Sequence, residues 1–190
     1  MKTDIILAGV GGQGILSIAA VIGTAAVQNN LHLKQSEVHG MSQRGGDVQS
    51  HLRISDKPVA SDLIPLGKAD IIISVEPMEA LRYLPYLSKQ GWVVTNTTPF
   101  INIPNYPSIE EVISNLKAQP HAITIDADSI AKECGSSRSS NMVMLGAASS
   151  YLNMPFEAIE KAVVTLFERK GQDIVDANLK ALRAGRDAAR

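Results

Sequence analysis

Apolar residues along the chain fall into short blocks closed by glycine, proline or polar turns, and the blocks alternate between strand and helix lengths. Ile5 to Leu7 is a continuous apolar run that reads as a buried strand. It breaks into glycines, then Ile15 to Ile22 is apolar on nearly every side and predicts a helix from Gly14 to about Gln28, ending near Asn29 and Asn30. Leu31 to Val38 is weakly apolar, and Glu37 to Asp47 has neither period and is expected as a loop. Val48, Ser50, Leu52 and Ile54 alternate, predicting a half-exposed strand over 48–55. A turn at Asp56, Lys57 and Pro58 and a short helix or irregular link over 63–68 follow. Ala69 to Val75 is a β-branched run expected as a central parallel strand, and Pro77 suits the first residue of a helix reaching about Lys89.

Gly91 to Asn96 predicts a second central strand, and Pro99, Pro104 and Pro107 mark an extended, irregular passage. Ser108 with Glu111 is a capping-box pattern opening a helix to about Ala118, and His121 to Asp126 is a last strand leading into a short helix through Lys132. Beyond a polar linker over 135–141, the chain reads as helical: Met142 to Leu152 with Asn141 as N-cap, Pro155 to Arg169, and a final helix from about Asp173. In that last helix Val175, Leu179 and Leu182 form a narrow stripe that packs either on the domain or on a partner subunit. The pattern predicts one α/β domain over residues 1–190. It is Rossmann-like, with a mostly parallel sheet flanked by helices in 1–134 and an all-helical C-terminal part in 141–190.

The candidate chemistry gathers at strand ends. Gly9, Gly11, Gly12, Gln13 and Gly14 form the turn of a nucleotide-binding βαβ unit. Gly9 is expected to allow a tight reversal, Gly11 and Gly12 to leave backbone N–H groups open to a ligand, and Gly14 to let helix and strand pack closely. The N–H groups opening the helix then suit a pyrophosphate. Gln43, Arg44, Gly45 and Gly46 lie in the aperiodic stretch; a guanidinium beside paired glycines suits a carboxylate or phosphate, or is a surface arginine in a connection. His39 nearby reads as a surface or capping residue rather than a base. Glu76 and Asn96 stand at the carboxyl ends of the central strands, where open α/β sheets bind ligands. Glu76 serves equally well as an acid at a helix N-terminus, and Asn141 either caps its helix or lines the cleft.

Composition narrows the chemistry. A formal charge of -1 gives no electrostatic case for nucleic acid or an anionic membrane surface. The single cysteine, Cys134, cannot form an internal disulfide or by itself hold zinc or an iron–sulfur cluster. No signal-peptide pattern precedes Asp4 and no apolar run approaches about 20 residues, so a cytoplasmic location is the expectation.

Val10-Gly11-Gly12-Gln13-Gly14, then Gln43-Arg44-Gly45-Gly46 before a strand, then Asn141 to Gly146, in that order, resemble the gamma-type domain of 2-oxoacid:ferredoxin oxidoreductases. The longer run from Ser36 to Gly46 is most similar to the beta subunits of the indolepyruvate-type members. The resemblance spans essentially the whole chain and implies a subunit. A larger alpha partner would carry thiamine diphosphate and 4Fe–4S clusters, decarboxylate an arylpyruvate, reduce ferredoxin and pass the acyl group to coenzyme A. It also implies that Gly11 to Gly14 and Arg44 bind the phosphates of coenzyme A or shape the interface over the thiamine site. Three rivals stand beside it. An NAD or flavin oxidoreductase needs a ribose-binding acid that only Glu37 supplies, rather late. An adenylating enzyme of the ubiquitin-activating type has a similar glycine turn but in many members paired zinc cysteines that this sequence lacks, and the third rival is a non-catalytic regulator that binds a nucleotide and a partner.

Overall fold

The computed structural model describes residues 1–39 and 45–190. Six strands form one sheet in the order β2-β3-β1-β4-β5-β6. They are β1 (Lys2–Val10), β2 (His32–His39), β3 (Asp47–Ser55), β4 (Ala69–Ser74), β5 (Leu87–Asn96) and β6 (Ala122–Ile125). β1, β4, β5 and β6 pair in parallel, while β3 runs antiparallel to both neighbours, β1 and β2. The expected mostly parallel sheet is therefore present, and the helix-poor stretch between α1 (Ile15–Gln28) and β4 supplies its antiparallel pair.

Alternation divides the sheet into two faces. Ile5, Leu7, Leu52, Ile54, Ile71, Ile73 and Val94 meet α1, α4 (Ala127–Glu133), α5 (Ser140–Ala148), α6 (Phe156–Phe167) and α7 (Gln172–Ala188) in the larger core. Ile6, Ala8, Ile72 and Val93 meet α2 (Pro77–Arg82) and α3 (Ile109–Lys117) in the smaller one. The capping pattern at α3 is present: Ser108 Oγ accepts from Glu111 N–H at 3.5 Å. Small residues bring α5 and α7 close; a Cβ on Gly146 would strike the Leu182 carbonyl, and one on Gly185 the Val143 carbonyl. The stripe packs on the domain: Val175 and Leu182 are buried and Leu179 is half-buried against the larger core. Trp92 of β5 stacks on Tyr151, centroids 4.3 Å apart, and on His121 at 5.0 Å.

Several expectations are corrected. Glu37 to His39 belong to β2, which pairs with β3 from His32↔Ser55 to His39↔Val48, so tertiary hydrogen bonds override a weak apolar pattern. β3 is covered on both faces. Leu52 and Ile54 lie in the larger core, while His51 sits opposite, beneath the link over 61–66. Arg53 binds Asp4 Oδ1 at 2.8 Å and Oδ2 at 3.1 Å, and also the carbonyls of Ser61 and Leu63; His51 Nδ1 accepts the Ile64 N–H at 2.9 Å. The helix from Pro77 stops at Arg82. Pro85 cannot donate a helical hydrogen bond, Leu84–Tyr86 is a single 3-10 turn, and β5 begins at Leu87.

Candidate functional site

β1 delivers the glycine turn at the carboxyl edge of the sheet. Gln13 closes it with its own side chain: Val10 N–H donates to Gln13 Oε1 at 2.8 Å, and Gln13 N–H returns to the Val10 carbonyl at 3.1 Å. Gln13 is thereby a structural residue of the turn. Gly11 N–H, expected to face a ligand, donates instead to the Gly46 carbonyl at 2.8 Å, and Gly45 N–H reaches Gly11 O at 3.5 Å. The structure thus joins the Gly9–Gly14 turn to Gly45 and Gly46. Gln43 and Arg44 lie outside the described residues.

The glycines divide their tasks differently from expectation. Gly9 is still part of β1, and a Cβ there would collide with Val75 at the end of β4 and meet Ile15 Cδ1 at 3.0 Å. The close packing assigned to Gly14 therefore falls to Gly9. Gly14 has φ +81°, the left-handed region that suits glycine, and its Cβ would stand 2.5 Å from Asn141 Nδ2. Gly12 is exposed, with open space where a Cβ would point. Beyond it α1 starts without a side-chain cap and without an acid in its first turn. Among the described residues the N–H groups of Gly12, Gly14, Ile15 and Leu16 donate to no acceptor. Uncompensated donors at the positive end of a helix favour an anion.

Asn141 does not cap α5. The N-cap position is Ser139; Asn141 in the first turn accepts the Met142 N–H on Oδ1 at 2.9 Å and donates from Nδ2 to the Gly14 carbonyl at 3.2 Å. It lines the turn from behind, a link across 127 positions that sequence alone hides.

Glu76 and Asn96 stand at the strand ends as expected, but both are buried and held by the protein. Glu76 Oε2 caps α2 through Glu79 N–H at 2.9 Å. Its Oε1 accepts Phe100 N–H at 3.2 Å and the Tyr106 hydroxyl at 2.5 Å. Asn96 donates to Asp128 Oδ2 at 2.9 Å and to Val75 O at 3.3 Å, and accepts Ala127 N–H at 3.0 Å. It thereby ties β5 to the start of α4.

Residues that the sequence pattern passes over complete the edge. Asn102 Nδ2 donates to the Gly45 carbonyl, and the Tyr83 hydroxyl donates to Asp47 Oδ2 at 3.3 Å. Burial pushes the Tyr83 and Tyr106 hydroxyls well above the ordinary tyrosine range, helped by Asp47 and Glu76 respectively. Burial also raises Glu79 despite its ion pair with Arg82 at 2.8 Å. These residues lie in an aperiodic, proline-punctuated passage or at a helix end, where no repeat marks them. The site offers backbone donors to an anion, while its neighbouring carboxylates are held by protein partners. Among the described residues no group of three or more His, Cys, Asp or Glu is placed to hold a metal ion, and no helix is long and apolar enough to cross a membrane.

Residues 4–188 match the family described as pyruvate ferredoxin/flavodoxin oxidoreductase. The indolepyruvate oxidoreductase subunit IorB of Archaeoglobus fulgidus is 41% identical over 198 residues, spanning 100% of this chain and 96% of that protein. The gamma subunit of a keto/oxoacid ferredoxin oxidoreductase from Geobacter sulfurreducens superposes with a TM-score of 0.74 at 24% identity, covering 98% of both chains. A 2-oxoglutarate:ferredoxin oxidoreductase from Magnetococcus marinus, solved with 2-oxoglutarate, coenzyme A and succinyl-CoA bound, superposes with a TM-score of 0.78 at 22% identity. That match covers 99% of this chain and 31% of the other, so the same fold there is one part of a longer polypeptide.

Proposed function

Because the chain belongs to the pyruvate ferredoxin/flavodoxin oxidoreductase family, we propose that it is the smaller subunit of an indolepyruvate:ferredoxin oxidoreductase. The observation that carries this is the end-to-end match to a curated small subunit of that enzyme, 100% of this chain against 96% of the relative. A larger alpha subunit is the partner, ferredoxin accepts the electrons, and the complex works in the cytoplasm. In the overall reaction a 2-oxoacid, coenzyme A and two oxidised ferredoxins give an acyl-CoA, carbon dioxide, two reduced ferredoxins and a proton. Thiamine diphosphate and the 4Fe–4S clusters belong to the partner in this reading; for the clusters, one cysteine here cannot supply the thiolates.

The open N–H groups of Gly12, Gly14, Ile15 and Leu16, with no acid in the first turn of α1, fit the phosphates of coenzyme A. When bound, coenzyme A supplies the thiol that accepts the acyl group. The chain's own part is to hold the anionic end of that molecule. Arg44 belongs to the same reading through its place beside Gly45 and Gly46 in the sequence. Its replacement in Arg44→Ala raises the coenzyme A concentration needed for half-maximal rate while the subunits still assemble; an unchanged requirement removes Arg44 from the site.

Purification of the tagged protein from its native cells, with thiamine diphosphate and iron quantified in what accompanies it, tests the reading. The expected result is a stoichiometric larger partner holding both and arylpyruvate-dependent ferredoxin reduction. Recovery of the protein alone, with neither cofactor, refutes it and turns attention to NAD and ATP.

A further inference from the structure

Glu76 is a carboxylate that is 1% exposed, at the end of a central strand, and it pairs with no cation among the described residues. A buried carboxylate is tolerated only where donors replace its water. Here the donors are Glu79 N–H, Phe100 N–H and the Tyr106 hydroxyl. Capping α2 needs only one acceptor oxygen, which the shorter Ser, Thr, Asp or Asn provides better than Glu. The longer side chain gains something else, because its second oxygen pins two points of the passage over 97–107. That passage has no regular structure, and Pro99, Pro104 and Pro107 have no N–H to give. Between the pinned points, Phe100 and Tyr106, stands Asn102, whose amide holds the Gly45 carbonyl. The adjacent Gly46 carbonyl in turn holds Gly11 N–H. One hydrogen-bonded path therefore runs from Glu76, through a stapled loop, to the turn whose next N–H groups are open.

We propose that Glu76 is a positioning residue: it fixes the 97–107 loop, and through Asn102 and Gly45 it sets the glycine turn for the phosphates of coenzyme A, without itself touching the ligand. The proposal rests on the reading that this turn takes coenzyme A. The sequence leaves Glu76 evenly between ligand contact and an acid at a helix N-terminus; the structure shows the cap, and the proposal adds the positioning role.

Glu76→Gln separates the two duties of the side chain. The amide oxygen can still cap Glu79 N–H, but an amide nitrogen then faces the donors of Phe100 and Tyr106. Tyr106→Phe is the second variant, removing one staple bond and leaving the cap untouched. Both are made in the complex with the larger subunit, and coenzyme A saturation, turnover and amide exchange over 97–107 are measured together.

Losing hydrogen bonds to a charged acceptor predicts a KM for coenzyme A about 10-fold higher in Glu76→Gln and about 3-fold higher in Tyr106→Phe. The turnover number stays within about twofold, because the thiol chemistry is untouched. Exchange over 97–107 accelerates in both. Faster exchange with an unchanged KM for coenzyme A in both variants overturns the proposal, leaving Glu76 as a cap and loop anchor only. Gly12→Asp tests the underlying reading separately by placing a negative charge at the turn. If it leaves the KM for coenzyme A unchanged, the turn is not the coenzyme A site and the proposal falls with that reading. If it raises KM while both staple variants do not, only the positioning role is lost.

Discussion

Gly14 and Asn141 occupy one another's space so closely that neither position is independent. With φ +81° and an amide 2.5 Å from where a Cβ would stand, Gly14→Ala combines backbone strain with a collision. Thermal or denaturant unfolding is expected to show a loss of about 2 kcal/mol. In an Asn141→Ala background the collision is absent, so the same change costs about half as much, and a double-mutant cycle measures the difference. His51 supplies a pH dependence. Its Nδ1 accepts the Ile64 N–H and burial lowers its pKa, so the folded state favours the neutral ring. The unfolded chain binds that proton more readily. Stability from this site is full above the ordinary imidazole value of about 6.5 and declines as pH falls below it. Denaturation midpoints between about pH 8 and pH 5 should show the decline, and His51→Asn, which keeps an acceptor without the titration, should flatten it. At this scale the glycine turn was legible because glycine spacing after a strand is a local signal. The exchange of roles between Gly9 and Gly14 was not, since it depends on Val75 and Asn141, which are distant in the chain.

The pair α5 and α7 shows how little room an element leaves. Gly146 and Gly185 each sit against a carbonyl of the opposite helix, and a backbone cannot rotate aside as a side chain does. Gly146→Ala and Gly185→Ala are each expected to destabilise by about 2–4 kcal/mol, measured by chemical denaturation, despite alanine's better helix propensity. The smallness of Gly146-Ala147-Ala148 announced a close approach but not its partner. β1, β4 and the second half of β5 were legible because central parallel strands buried on both faces demand unbroken apolar runs. β2 was not: it is an edge strand whose order comes from one ladder with β3. β3 looked half-exposed because His51 and Arg53 are polar, yet both are covered by the link they bind.

The whole molecule is layered around β1 and β4, with β2 alone at one edge. Native-state amide exchange should therefore be slowest in β1 and β4 and fastest in the edge strands β2 and β6, with β3 and β5 between. Equal protection in β2 and β1 would contradict that order, unless a partner covers the edge. The fold class was readable because helices and strands alternate in length and period. The site was readable only where chemistry follows the chain. The path from Glu76 to Gly45 is made by loop residues that meet only after folding.

Trp92 carries one more consequence. It is the sole tryptophan, and it lies in an asymmetric stack with Tyr151 and His121, drawn from β5, the turn after α5, and the start of β6. Coupled aromatic transitions in a fixed chiral array give circular dichroism in the near ultraviolet. Tyrosine excitation at 4.3 Å passes readily to the indole. The chain therefore carries an intrinsic optical gauge of one corner, readable without labels. Its signal would vanish when that corner loosens, even while the backbone bands in the far ultraviolet persist.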